Sequence, residues 1–297
     1  MKVAVTGASG FIGTALLGVL KSRDNIDIVA ISRNVTERND CSEIIEWRQS
    51  DYSEESMSKV LADVDALIHL AGVRGTEDDA SKFSVNETVT ENILKAMVNT
   101  SVRRIVFAST VSVYDDENMI PWTEEAHLKG RTAYGDSKIR CEKLIEKYAN
   151  KNGFSFALVR IAQVLGEGET RRGMMNVFID TARSHGTLKV MGKSIAKRQY
   201  IFVKDLAEIL STLAAGSDNY VPDKNIVLNA GMERAYTNYE IAELVNKVYS
   251  NPTPICYEDS YPELNRAFCM NVSKLENELN FIPMDMEQAL KEISMSN

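Results

Sequence analysis

The sequence predicts an α/β fold, a doubly wound parallel sheet with a smaller C-terminal lobe. Three observations carry that expectation. Short, nearly continuous apolar runs alternate with amphipathic segments through the first half of the chain. A glycine-rich turn joins the first apolar run to the first helical segment, and the alternation weakens after about residue 165. Strands that read as unbroken apolar runs are buried on both faces, as in a parallel sheet covered by helices.

Residues 2–6 form the first expected strand, followed by a helix near 11–22. Residues 28–31 give a second strand and 44–47 a short third one. A helical stretch at 53–61 precedes a strand at 66–70, and a helix over roughly 80–99 precedes a strand at 104–109. A long helix around 135–150 leads to a strand at 156–160. Residues 166–173 are polar, charged and glycine-rich, and a different rhythm follows. Helices are expected at 174–184, 205–215 and 238–249, the last opened by Thr237 or Asn238, with strands at 187–191 and 226–228. The tail from Ser273 to Leu290 predicts two small helices around Pro283.

Composition narrows the class. At 297 residues the chain can bury a large core, about three quarters of its extended surface. A net charge of -8 without a dense Lys/Arg block argues against nucleic acid or an anionic membrane surface as partner. Cys41, Cys141, Cys256 and Cys269 form no Cys-x-x-Cys pair, and His69, His127 and His185 lie far apart, so neither a metal site nor a disulfide framework is expected. The first strand begins at once, leaving no room for a signal peptide, and no apolar stretch is long enough to span a bilayer. The expected location is the reducing cytoplasm.

The chemistry begins at Thr6-Gly7-Ala8-Ser9-Gly10-Phe11-Ile12-Gly13. A strand bent by glycines into a helix offers backbone N–H groups to a dinucleotide pyrophosphate. Gly7 permits the turn, Gly10 lets the backbone approach the phosphates, and Gly13 lets helix and strand pack closely. Farther on, Tyr134 and Lys138 share one helix face, four residues apart. A lysine charge favours phenolate and desolvation opposes it, so this tyrosine is a candidate to move the proton of an alcohol beside a nicotinamide. Lys138 is also placed to hold the nicotinamide ribose hydroxyls. Ser109-Thr110 follow an apolar strand whose C-terminal end faces the ligand crevice of such a sheet. Thr110 is the candidate donor to the substrate oxygen; Ser109 and Ser112 orient the cofactor or satisfy the turn.

With these residues the chain resembles the extended short-chain dehydrogenase/reductase family, in its NAD(P)-dependent nucleotide-sugar epimerase, dehydratase and reductase branch. The resemblance also takes in Asp51, His69-Leu70-Ala71-Gly72, Asn86, Arg160 and the run from Arg198 to Asp205. It implies a Rossmann-type domain over residues 1–165 and a mainly substrate-binding lobe over 166–297, with segments near 198–228 free to return to the first domain. It places Gly7, Ser9, Gly10, Phe11, Ile12, Asp51, Tyr52, Leu70, Ala71, Gly72, Tyr134 and Lys138 at the cofactor. Asp51 meets the adenine side, and Asn86 supports the central helix. It assigns catalysis to Thr110, Tyr134 and Lys138, and substrate contacts to Thr110, Tyr134 and Arg198. Arg198 is carried over as a bidentate contact to the diphosphate.

Departures from the family pattern narrow the reaction. Val111 and Ser112 stand where 4,6-dehydratases of the family have Asp and Glu, so water elimination is not expected. Gln163 replaces the usual Asn after Arg160, and Asp115 the usual Gly after Tyr114. Ser32-Arg33 end the second strand where NAD-preferring enzymes often offer an Asp; Arg33 is therefore a candidate for a 2'-phosphate, and the cofactor is NAD or NADP. The leading expectation is a 4-epimerase of the UDP-glucose or UDP-N-acetylglucosamine kind, acting by transient oxidation at C4. The alternative is an NAD(P)H-dependent reductase of a 4-keto nucleotide sugar, and a non-catalytic dinucleotide-binding regulator is a third reading. The expected partner is a nucleotide-sugar substrate, with a homodimer left open.

Overall fold

The computed structural model describes residues 1–35, 44–75, 79–170, 173–192, 194–258 and 267–295. Cys41 and the Arg171-Arg172 pair of the polar segment lie outside the described residues. In the first half, strands β1 (Lys2–Thr6), β2 (Asp27–Ser32), β3 (Ile45–Gln49), β4 (Ala66–His69), β5 (Arg104–Ala108) and β6 (Ser155–Ile161) alternate with helices α1 (Phe11–Lys21), α2 (Glu54–Val60), α3 (Ser84–Val98) and α4 (Ala133–Asn152). The second half adds β7 (Gln163–Leu165), α5 (Met174–Arg183), β8 (Lys189–Met191), β9 (Lys197–Arg198), β10 (Tyr200–Phe202), α6 (Val203–Ala215), β11 (Ile226–Ala230), β12 (Tyr236–Thr237), α7 (Asn238–Val248), β13 (Cys256–Glu258), α8 (Ser273–Leu279) and α9 (Met286–Met295).

The main sheet has the order β11-β6-β5-β4-β1-β2-β3, and every neighbouring pair is parallel. The order reverses between β1 and β4, which opens a crevice above their C-terminal ends. One face packs Val3, Val5, Ile68, Val106 and Val159 against Leu16 and Leu20 of α1 and Leu206 and Leu210 of α6. The other packs Ala4, Leu67, Ile105 and Leu158 against Met57 of α2, Ile93, Leu94 and Met97 of α3 and Ile145 of α4. This alternation of neighbouring residues between two cores is why the strands read as continuous apolar runs.

Of the stretch near 198–228, β11 joins this sheet, while β9 and β10 pair outside it. β11 pairs with β6 at its edge, and α6 lies on α1, where Arg23 donates to the Gly216 carbonyl and to Thr212 Oγ1, both at 2.8 Å. A third core, holding Leu165, Phe178, Phe202, Ile241 and Leu290, fills the remaining C-terminal part. Phe11 and Ile12 at the start of α1 touch it, so the glycine turn sits on the seam between the two parts.

Local signals set the ends of the helices that matter for the site. Thr132 Oγ1 accepts from Gly135 N at 3.2 Å and starts α4, and Gly153, with φ of 73°, ends it. Such an N-cap contributes about 1 kcal/mol, and a left-handed C-cap favours glycine. Of the two residues expected to open α7, Thr237 caps it, in a capping box with Glu240. The third strand runs beyond its expected end to Gln49, and strands β7, β9, β10, β12 and β13 carry two or three residues each. Segments that short have no period to detect; their partners, such as β10 beside β7, make them strands.

Among the described residues Cys141, Cys256 and Cys269 are free thiols, and no group of His, Cys, Asp or Glu is arranged to hold a metal. Among the described residues no helix is long and apolar enough to cross a membrane.

Candidate active site

β1 ends in the glycine turn. Gly7 has φ of 67°, and a Cβ there would lie 2.9 Å from the Ala71 nitrogen. A Cβ on Gly13 would lie 2.4 Å from the Gly7 carbonyl oxygen, so the close approach of helix to strand excludes a side chain. Gly10 N donates back to Gly7 O at 3.0 Å, and α1 then starts with no capping side chain on Gly10. The first-turn N–H groups, which have no partner within a helix, are thus left to a ligand, and Ser9 and Gly10 are exposed before them. The cradle fits a pyrophosphate.

Around the turn, Ser32 Oγ lies 3.5 Å from Ser9 Oγ, and Arg33 is exposed at the end of β2. Tyr52 is buried, with its hydroxyl 3.4 Å from Gly7 N, which donates to it. Asp51 is exposed and accepts from Ser53 N at 2.9 Å; the Ser53 hydrogen bonds hold its carboxyl below the ordinary value. Its visible work is to shape the turn before α2.

At the end of β4, His69 bridges three elements. Its Nδ1 lies 2.8 Å from Thr6 Oγ1 and its Nε2 3.2 Å from Thr90 Oγ1. Burial, aided by the Lys138 charge, pushes its pKa down to about 3, so the ring is neutral and structural. Ala71 N donates to Thr6 Oγ1 at 3.3 Å, which draws the Leu70-Ala71-Gly72 stretch over the glycine turn. Asn86 receives Val73 N at 2.7 Å, donates to Val73 O at 2.9 Å and reaches Ser137 Oγ on α4 at 3.1 Å. It ties this loop to the helix bearing Tyr134.

The crevice holds a cavity of about 320 Å³ lined by Tyr134, Lys138, Thr110, Ser112, Leu70 and Gly72, among others. The tyrosine, lysine and threonine singled out in the sequence therefore meet in one space. Lys138 Nζ donates to Ala108 O at 2.8 Å and lies 4.4 Å from the centre of the Phe107 ring. Burial lowers its pKa to about 8. Tyr134 is half-buried and lines the cavity, and burial pushes its pKa up to about 12.

The Arg74 charge and, after it, the nearby Thr110 hydroxyl oppose that burial. The Lys138 ammonium is turned onto the Ala108 carbonyl, 6.0 Å from the centre of the tyrosine ring.

Sequence reasoning missed Arg74, Gln199 and Phe268, which also line the cavity. Arg74 pairs with Glu169 at 2.9 Å, joining the loop after β4 to the loop after β7. Gln199 donates to Met232 O at 2.7 Å and Met270 O at 3.0 Å and accepts from Met270 N at 2.9 Å, which pins the segment carrying Phe268. The guanidinium of Arg131 lies 3.7 Å from the centre of the Phe268 ring. Each contact spans a long sequence interval, so no spacing motif could flag it.

Arg198 is placed differently. It stands half-buried on β9, paired with β12, and does not line this cavity; its Nε is buried with no hydrogen-bond partner among the described residues. A larger cavity, about 730 Å³, starts at Ser9 and Gly10 and follows α1 past Thr14 and Gly18 to Ser22. It holds neither Tyr134 nor Lys138, so the titratable chemistry belongs to the smaller space.

A family model described as the NAD dependent epimerase/dehydratase family matches residues 3–231. The chain belongs to this family. Among curated members, it is 26% identical to a putative UDP-glucose 4-epimerase of Methanocaldococcus jannaschii over 82% of this chain and 81% of that protein. It is 24% identical to the dTDP-4-dehydro-6-deoxyglucose reductase of Escherichia coli, over 95% and 92% of the two chains. The crystal structure of the UDP-N-acetylglucosamine 4-epimerase from Bacillus cereus superposes with a TM-score of 0.88 at 30% identity, covering 100% of this chain and 96% of that one. The NAD-dependent epimerase/dehydratase family is a family of enzymes on a Rossmann-type sheet, which is the architecture described above.

Proposed function

We propose that this protein is a nucleotide-sugar 4-epimerase of the UDP-glucose or UDP-N-acetylglucosamine kind. The observation that carries the reading is the meeting of Tyr134, Thr110 and Lys138 in one cavity at the C-terminal ends of the strands, next to the glycine turn. The relatives named above include 4-epimerases of both UDP-sugars.

The turn from Gly7 to Ile12 would hold the cofactor pyrophosphate through backbone N–H groups, Arg33 and Ser9 the adenosine side, and Lys138 the nicotinamide ribose hydroxyls. When bound, NAD supplies a reversible two-electron acceptor beside the sugar. Tyr134 Oη takes the proton of the sugar 4-hydroxyl, and Thr110 Oγ1 donates a hydrogen bond to the same oxygen. A phenol with a pKa near 12 is a poor base at neutral pH. Arg74 already offsets part of the burial, and the positive charge of the oxidised cofactor favours the phenolate further when the site is filled. After the 4-keto sugar has turned its other face, Tyr134 returns the proton. The lobe built around α5, α7 and α9 covers the substrate, with Arg198 directed at the diphosphate.

A second reading, a 4-keto nucleotide-sugar reductase, is favoured by one feature. No carboxylate ends β2, and Ser32 and Arg33 leave room for a 2'-phosphate. One experiment separates the two. Denaturing the purified protein and identifying the released dinucleotide is followed by offering UDP-glucose and UDP-N-acetylglucosamine without added cofactor. Tightly held NAD with interconversion at C4 supports the epimerase; a requirement for stoichiometric NADPH overturns it in favour of the reductase.

A further inference from the structure

Tyr134, Lys138 and Glu142 follow one another at intervals of four residues along α4, so they project from one line of the helix. The last two grip consecutive residues where β5 ends: Lys138 Nζ donates to Ala108 O, and Ser109 Oγ donates to the Glu142 carboxylate, while Tyr134 and the next residue, Thr110, line the same cavity. Glu142 is buried, and it also accepts from Arg160 Nη2 at 2.9 Å and Nε at 3.3 Å.

The connections continue. Arg160 Nη1 donates to Tyr114 Oη and to Glu124 O, both at 2.8 Å. Tyr114 Oη donates to Asn229 Oδ1 at 2.8 Å, and Asn229 Nδ2 reaches Asn271 O at 3.1 Å. A chain of buried hydrogen bonds therefore runs from the end of β5, through the Glu142–Arg160 pair, to the segment that follows Phe268 in the cavity wall. A buried ion pair adds little stability over an apolar pair of the same volume. What it does supply is direction: a carboxylate can accept from Ser109 and from both guanidinium nitrogens at once.

We propose that Glu142 is a positioning residue for the epimerase reaction: held by Arg160, it anchors Ser109 so that Thr110 and Tyr134 face the same sugar oxygen. The proposal rests on the epimerase reading, and the test keeps the two apart. Glu142→Leu combined with Arg160→Met removes both charges together and avoids an unpaired buried ion. Ser109→Ala is the second variant, because it deletes the anchor while leaving the ion pair intact.

Thermal melting reports folding, titration calorimetry reports NAD binding, and amide hydrogen exchange reports order in peptides covering residues 107–114. In the double variant exchange over those peptides is expected to rise about tenfold, with the rest of the sheet still protected. Its kcat on the UDP-sugar is expected to fall about 100-fold, with KM changed less than about twofold. Ser109→Ala shows the same pattern with a smaller loss. Unchanged exchange at 107–114, or undiminished kcat in a folded variant, overturns the proposal. If the double variant does not fold, Ser109→Ala decides by the same two readouts. If the unmutated protein turns over neither UDP-sugar, the epimerase reading falls, and local exchange alone decides whether Glu142 anchors the strand end.

Discussion

Lys138, in the second turn of α4, donates its ammonium to the carbonyl of Ala108, the last residue of β5, at 2.8 Å. The bond couples the long helix to the strand that ends beneath the cavity. At the neighbouring Tyr134 phenol, the Arg74 charge and then Thr110 oppose the upward push of burial.

Tyr134→Phe is expected to lower turnover by about 10²- to 10⁴-fold, the usual contribution of a positioned acid or base. The ring still fills its place, so cofactor affinity measured by calorimetry is expected to stay close to that of the unmutated protein. Near-normal turnover on the epimerised sugar would remove Tyr134 from the proton transfer.

His69 provides a stability test. Its pKa is about 3 in the fold against an ordinary 6.5, so the unfolded chain binds the extra proton first as pH falls. The stability is fully present above about pH 6.5 and is lost as pH drops toward 3, by up to a few kcal/mol. Melting temperature is expected to decline with acidification from about pH 6.5 in the unmutated protein. In His69→Gln, which removes the titrating ring, the decline begins only in the carboxylate range, near pH 4. Identical acid profiles for the two proteins contradict the assignment.

Arg33→Ala is expected to weaken NADP by about tenfold or more and leave NAD nearly unaffected. Only the 2'-phosphate loses a charge-assisted contact, worth about 1.5–3 kcal/mol. Equilibrium titrations of both dinucleotides check this; equal small changes return Arg33 to the solvated surface.

Arg198→Ala is expected to weaken UDP binding by about tenfold or more with dinucleotide affinity retained. Its buried Nε, without a hydrogen-bond partner among the described residues, is the observation behind this expectation. Calorimetry with UDP decides it: unaltered affinity in a folded variant means that the guanidinium serves β9 and β12 and not a diphosphate.

Much of this protein was legible in the chain because the deciding signals are local. The Gly7, Gly10 and Gly13 spacing, the apolar runs of β1, β4, β5 and β6, and the four-residue step from Tyr134 to Lys138 each depend on residues within about one helix turn or one strand. Those signals were enough for the sheet, its glycine turn and the pair on α4. Only the tertiary structure decided which residues complete the cavity and what their charges do. Arg74, Gln199 and Phe268 reach it from three separate segments, and β11 returns to pair with β6 after the chain has built part of the third core. Ser109, Glu142 and Arg160 become one network only when β5, α4 and β6 are packed together. The pKa values follow the same division: burial and distance set them, and neither exists until distant parts of the chain exclude water from one another.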